Sequence, residues 1–131
     1  EIRGDNMQEI LSTVHYGSDP TNHKYQGGTY LLTQSNNLNE VFHELSFIWQ
    51  ENSMKFILDN QYTVFEITSN QIGFDENYPF NEVFYLIINV AVGGNFVGNY
   101  VNNNDLCYAA NAENCPDNKR LLIDWVKYET L

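Results

Sequence analysis

Residues 53–68 read SMKFILDNQYTVFEIT and carry the clearest structural signal in the chain. Two runs of alternating apolar and polar side chains flank the pair Asp59-Asn60. A period of two is typical of β-strands, and Asp and Asn tolerate the positive φ angles that a two-residue hairpin turn needs. The stretch therefore predicts an antiparallel hairpin. The preceding run VFHELSFIW, joined through QENS, extends the hairpin to a meander.

The same alternation appears nearer the start, in the run EILSTVHY at residues 9–16. One face of this predicted strand carries Ile10, Ser12, Val14 and Tyr16, and the other carries Leu11, Thr13 and His15. A loop, GSDPTNHKYQGG, and a strand, TYLLTQ, are expected to follow, because the loop is rich in turn-forming residues.

Two further strands are predicted in the last third of the chain. The run FYLIINVAV, residues 84–92, is nearly continuous in apolar side chains and is typical of a strand buried on both faces. A sharp turn at GGNFVG should follow, and LLIDWVKYE should close the chain as a strand. About seven short strands separated by turn signals predict an all-β sandwich of one domain.

The charge balance narrows the classes of partner. Six basic residues against seventeen acidic ones give a formal net charge of −11. Such a field repels phosphate backbones and anionic lipid, so we expect no nucleic-acid or membrane partner and favour a neutral ligand or a cation. The run from Phe84 to Val92 is also far shorter than the roughly 20 apolar residues that span a bilayer.

The two cysteines, Cys107 and Cys115, lie in one Asn-rich segment, VNNNDLCYAANAENC. We expect a disulfide that staples this polar insertion, which favours a secreted or extracytoplasmic protein. Two free thiols in a cytosolic protein are the alternative.

Several strings, in order, resemble one family. VFHELSFIWQENSMKFILDNQ, FNEVFYLIINVAVGGNF and IDWVKYE are similar to segments of laminarinase-like and lichenase-like glycoside hydrolases of family 16. The resemblance implies a concanavalin-like jelly-roll β-sandwich. It also implies retaining endo-hydrolysis of a β-glucan, of the β-1,3-linked laminarin type, with a polysaccharide as the partner.

The family's catalytic signature is Glu-x-Asp-x-x-Glu, followed by a strand with a His-aromatic pair. Glu1 matches the last Glu and His15-Tyr16 matches the pair. The resemblance thus implies that Glu1 is the general acid/base, that His15 lines the cleft, and that the nucleophile lies upstream. Residues 1–131 are then expected to be the C-terminal part of a single catalytic domain. The sandwich would be incomplete at the N-terminus and would be partnered by the N-terminal half of the same domain.

Further residues are expected to bind the sugar chain. Aromatic rings stack on sugar faces while amides bind the hydroxyl groups. The candidates are Arg3, Tyr16, Asn89, Asn95, Phe96 and Tyr100. A surface ion pair remains the alternative for Arg3, and a buried core amide the alternative for Asn89.

Asp124 is a carboxylate amid apolar residues of the closing segment. A buried Asp needs a partner, and the resemblance implies that this one helps to hold a structural calcium ion. A hydrogen-bonded or partly exposed Asp is the alternative. No cofactor is expected for catalysis.

Two other functions stay open. The first alternative to hydrolysis is a non-catalytic β-glucan-binding module on the same sandwich, because one carboxylate cannot perform a double displacement. The second alternative is a plain adhesion domain. The residues immediately before Glu1 decide between catalysis and binding alone.

Overall fold

The computed structural model describes residues 1–33, 37–72, 78–98, 101 and 120–130. Its regular structure in those residues is six strands and three short 3-10 helices, so the all-β prediction is confirmed. The strands are β1 Ile2–Arg3, β2 Asn6–Tyr16, β3 Lys24–Leu31, β4 Leu45–Gln50, β5 Ser53–Leu58 and β6 Tyr62–Thr68. The 3-10 helices are Pro20–Asn22, Ser69–Gln71 and Pro79–Asn81. Two antiparallel sheets result, with strand orders β1-β2-β3 and β4-β5-β6.

The predicted hairpin turn between β5 and β6 is confirmed. Asp59 and Asn60 have φ angles of 53° and 55°, and the Gln61 N–H donates to the Leu58 carbonyl at 3.1 Å. Positive φ at both central positions matches the right-handed twist of the flanking strands. The turn therefore fixes the pairing of β5 with β6, and β4 completes the meander.

The hairpin of β2 and β3 is longer than predicted, because β3 begins at Lys24, inside the expected loop. Asp19 closes the connection by accepting hydrogen bonds from the main-chain N–H groups of Thr21 and Asn22. Gly28, which the sequence marked as a turn former, lies in β3 against β6. A Cβ there would lie 2.5 Å from the Val64 carbonyl oxygen. The glycine serves close approach of two strands rather than a turn.

The core lies between the two sheets. Its two clusters of buried side chains are Val14, Met54, Ile67, Ile72 and Phe80, and Ile10, Leu38, Leu58 and Val64. Both clusters include a residue of β2, Val14 in one and Ile10 in the other. These two residues and Ser12, which the alternation places on one face of the strand, are all buried. The alternation in EILSTVHY is therefore confirmed as one core face and one open face.

The chain divides into two compact units, Glu1–Leu86 and Ile87–Leu131. The first contains all the strands and 3-10 helices given above. In the second, Gly93 and Gly94 have φ angles of 71° and 99°, which confirms the predicted sharp turn after residue 92.

The strands predicted at 84–92 and 121–129 are wrong. Neither segment forms a strand, and their large apolar side chains are exposed, for example Val90 at 68% and Val126 at 61%. A strand needs a neighbour to satisfy its N–H and C=O groups. The described parts of the chain offer these segments no such ladder. Within the same described ranges, no helix has the length and apolar character to cross a bilayer.

Candidate active site

A cavity of about 350 Å³ lies within the first unit, beside β2 and strands β4 to β6. Glu1 and β2 line one side of it, and strands β4 to β6 line the other. The lining residues are Glu1, Ile10, Leu11, Ser12, Thr13, His15, Leu45, Ser46, Phe47, Phe56, Ile57 and Val64. Glu1 and His15, paired by the sequence signature, thus border one cavity.

The main chain fixes the side on which Glu1 projects. The Leu11 N–H donates to the Glu1 carbonyl at 2.9 Å, and the Glu1 main-chain nitrogen donates to the Leu11 carbonyl at 2.6 Å. Two residues that exchange both bonds lie directly opposite each other, and their side chains share one face of the sheet. Glu1 therefore shares a face with Leu11 and, by alternation along β2, with His15. Its catalytic role stays a prediction.

The edge of β2 beside Glu1 is open. Leu11 pairs toward β1, so the main-chain groups of Thr13 and His15 point to the same side. β1 begins at Ile2, opposite Ile10, and Glu1 lies opposite Leu11, so within the described ranges no strand pairs with this edge at Thr13 and His15. The cavity lies along this stretch of β2.

Arg3 is held by carboxylates. Its guanidinium donates to the Glu9 carboxylate at 2.9 Å and lies 3.5 Å from Asp5. The ion-pair alternative thus accounts for its position in the first unit, whereas a contact with sugar stays a prediction.

Tyr16, one of the predicted sugar contacts, lies on the face of β2 that the alternation predicts. It alternates with His15 and so lies on the core face of β2, where its ring packs beside the buried cluster around Phe80. Its hydroxyl accepts a hydrogen bond from Gln26 at 2.9 Å. Neighbouring residues on a strand face opposite ways, so Tyr16 and His15 project from opposite faces of β2, and the contact of Tyr16 with sugar stays a prediction.

The remaining sugar-binding candidates belong to the second unit. Asn89, Asn95 and Phe96 are exposed, and Asn89 lies outside any strand, so the buried core amide expected as its alternative is wrong. Tyr100, Cys107 and Cys115 lie outside the described residues.

Asp124 is exposed rather than buried. Among the described residues, no group of three or more His, Cys, Asp or Glu side chains could hold a metal ion. That result does not address a calcium site built partly from main-chain or amide oxygens, so the calcium prediction remains untested.

Sequence reasoning missed a ring cluster beside His15. His15 Nδ1 and His23 Nε2 are 2.8 Å apart. The Tyr25 ring is equally distant from the two imidazoles, with a centroid separation of 6.1 Å to each. His15 pairs with Tyr25 across the two strands. Only the register of the hairpin reveals this cluster. The register could not be predicted, because the turn-forming residues of the connecting segment placed Lys24–Gly28 in a loop rather than in β3.

Residues 1–127 match the family described as Glycosyl hydrolases family 16. The chain belongs to glycosyl hydrolase family 16. It is 32% identical over 103 residues to "Glucan endo-1,3-beta-glucosidase A1" of Niallia circulans, a match that covers 75% of this chain and 15% of that protein. It is 36% identical over 104 residues to "Glucan endo-1,3-beta-glucosidase" of Cryptopygus antarcticus, which covers 75% of this chain and 37% of that protein. No solved structure gives a significant match.

The family assignment confirms the resemblance seen in the sequence strings. This family 16 chain spans well under half the length of either relative.

Proposed function

We propose that this chain carries the acid/base half of a retaining endo-β-glucanase site, acting on β-1,3-linked glucan of the laminarin type. One observation supports it above the others. Glu1 lies opposite Leu11 and projects to the side of β2 that His15 occupies, beside a cavity. The names of the two relatives supply the linkage, and family membership supplies the reaction class.

The chemistry requires two carboxyl groups on one face, about 5 to 5.5 Å apart. One attacks the anomeric carbon, and the bond to the leaving oxygen breaks as Glu1 transfers its proton to that oxygen. Glu1, now a carboxylate, then removes a proton from water. That water attacks the anomeric carbon and releases the sugar from the first carboxylate. After the second step, both carboxyl groups are back in their starting states.

The register of β2 supports a place for the nucleophile. If the antiparallel pairing of Glu1 with Leu11 continued, the residues that precede Glu1 would lie opposite Ser12–Tyr16 of β2. In regular pairing, the residue five positions before Glu1 would lie opposite Tyr16, on the core face. A one-residue β-bulge would move it opposite His15, onto the face of Glu1.

His15 would then orient the nucleophile. In the tautomer whose Nδ1 accepts from His23, the hydrogen of the His15 ring is on Nε2, which would donate it to an adjacent carboxylate. A cross-strand neighbour on the same face is the position from which such a hydrogen bond is made.

The second unit belongs to the same proposal. The N-terminal half of the domain is the proposed partner that covers the exposed apolar side chains of residues 84–92 and 121–129. Asn89, Asn95, Phe96 and Tyr100 remain the proposed sugar contacts there. The Cys107–Cys115 disulfide, calcium at Asp124 and a secreted location complete the proposal.

The test compares Glu1→Gln with the matched variant Glu66→Gln in the protein that includes the residues preceding Glu1. Glu66 is exposed on β6 and pairs with Lys55 at 3.4 Å, so its loss should leave activity unchanged. Reducing-end release is measured on laminarin, lichenan and agarose. We expect laminarin to be cleaved fastest and Glu1→Gln to reduce the rate by about 10²- to 10⁴-fold. Full activity in Glu1→Gln would remove Glu1 from the mechanism. Binding of laminarin without cleavage by the unmutated protein would favour the glucan-binding module.

A further inference from the structure

His15 and His23 present two imidazole nitrogens to each other. Nδ1 of His15 lies 2.8 Å from Nε2 of His23, the ring planes differ by 13°, and the centroids are 5.0 Å apart. A centroid separation that exceeds the nitrogen separation this much, with nearly parallel planes, means that the rings meet edge to edge. One neutral ring donates its N–H to the lone pair of the other. Both rings are exposed to solvent.

The local fold holds the pair in place. His15 lies in β2 at a position fixed by its pairing with Tyr25, and His23 directly follows the 3-10 turn Pro20–Asn22. Asp19 caps that turn with its side chain. At Gly17, where φ is 131°, a Cβ would lie 2.2 Å from the Asn22 carbonyl oxygen, so the loop is folded tightly on itself. Such pre-organisation lowers the entropic cost of binding through both rings.

We propose that His15 Nδ1 and His23 Nε2 form a two-nitrogen site for a late first-row divalent cation, such as Zn²⁺, Ni²⁺ or Cu²⁺. Imidazole nitrogen suits these metals, which it binds at about 2.0–2.1 Å in the case of zinc. Nitrogens 2.8 Å apart can both reach one such ion after small ring rotations that turn the lone pairs toward it. Water would complete the coordination shell.

Binding needs no net loss of protons from two neutral rings. The ring that donates the N–H in the pair shifts its proton to its other nitrogen, and the metal takes the vacated lone pair together with that of the partner ring. The net charge of −11 also raises the local concentration of cations. Mg²⁺ and Ca²⁺ prefer oxygen ligands and should not occupy this site.

Occupancy would have a consequence for the cavity. His15 lines the cavity that Glu1 borders, so a metal ion on its ring would stand at the cavity wall. The metal site depends only on the two histidines, so a test of metal binding is independent of a test of the proposed hydrolysis.

Calorimetric titration of the 131-residue chain with ZnCl₂ and NiCl₂ tests the site, with MgCl₂ as the control cation. Iodoacetamide first blocks any free thiol at Cys107 and Cys115, since thiolates also bind zinc. His15→Gln and His23→Gln are compared with His43→Gln, the third histidine of the chain, whose ring pairs with Asp59 at 2.8 Å. Thermal melts verify that each variant is folded. Long-range ¹⁵N correlation spectra of the unmutated protein, with and without ZnCl₂, report which ring nitrogens coordinate.

We expect one equivalent of Zn²⁺ or Ni²⁺, an affinity at least about tenfold lower in His15→Gln and His23→Gln, and little change in His43→Gln. The nitrogen signals that move should be His15 Nδ1 and His23 Nε2. Equal affinity in His23→Gln, an equal loss in His43→Gln, or coordination through other nitrogens would each overturn the site. The spectra decide the question even if a variant fails to fold.

Discussion

Two apolar stretches of this molecule have opposite fates. Strand β5, Ser53–Leu58, contains a lysine and a serine, yet it is hydrogen bonded on both edges and buries Met54 and Leu58. Residues 84–92 are more uniformly apolar, yet they form no strand, and Val83 beside them is 97% exposed. Hydrophobicity therefore marks a segment for burial, but a neighbour for its main chain and an opposing face decide whether burial occurs.

The largest expected effect contrasts the two stretches directly. Ile67 in β6 is 0% exposed, so Ile67→Ala should lower the free energy of unfolding by about 2 to 5 kcal/mol through lost burial and a cavity. Ile87 is 70% exposed, and Ile87→Ala should change it by no more than about 0.5 kcal/mol. Urea unfolding measures both. Equal losses would show that residues 84–92 pack as tightly as the sheets.

A smaller effect tests the contact between the sheets. Gly28→Ala places a Cβ 2.5 Å from the Val64 carbonyl oxygen, so β3 and β6 must separate, and we expect a loss of about 1 to 3 kcal/mol. Gly4 is the matched control because a Cβ there meets nothing within 4 Å. Urea unfolding of Gly28→Ala and Gly4→Ala gives the comparison. No difference between them would mean that the close approach of β3 to β6 does not constrain the fold.

The smallest effect concerns the turn that positions His23. Hydrogen bonds from the Thr21 and Asn22 side chains, together with the Thr21 N–H, hold the pKa of the Asp19 carboxyl well below its usual value. A lowered pKa in the folded state stabilises the protein above the unfolded value of about 3.9, and this contribution is lost as the pH falls further. Asp19→Asn should therefore unfold at a slightly lower urea concentration at pH 7, and the difference should shrink in acid. A difference that grows in acid would contradict the sign.

Local chemistry made β2 and the meander of β4, β5 and β6 predictable. Alternation in EILSTVHY gave its core face, and Asp59-Asn60 gave the hairpin turn. Pairing across distant positions was not predictable. The bonds between Glu1 and Leu11 and the meeting of His15 with His23 depend on register, which composition does not encode.

The same limit explains the errors. Residues 84–92 and 121–129 look like strands by pattern, but strand formation depends on a partner elsewhere in the chain. Asn89 was given a buried core amide as its alternative, and that burial too would need partners for residues 84–92. In each case the local sequence pattern was recognised, whereas the neighbours of the residue in the fold were not predicted.

The role of Glu1 is tested most directly by removing its carboxyl group and changing how much proton donation the substrate needs. Glu1→Ala, in the protein that includes the residues preceding Glu1, is compared on laminarin and on an aryl β-glucoside with a highly acidic phenol. The rate of glycosyl-enzyme formation is read from the phenol burst. We predict a loss of about 10²- to 10⁴-fold on laminarin, whose leaving oxygen needs a proton, and a near-normal burst from the aryl substrate, which needs none. Equal loss on both substrates, or loss on neither, would contradict the assignment of Glu1 as the general acid/base.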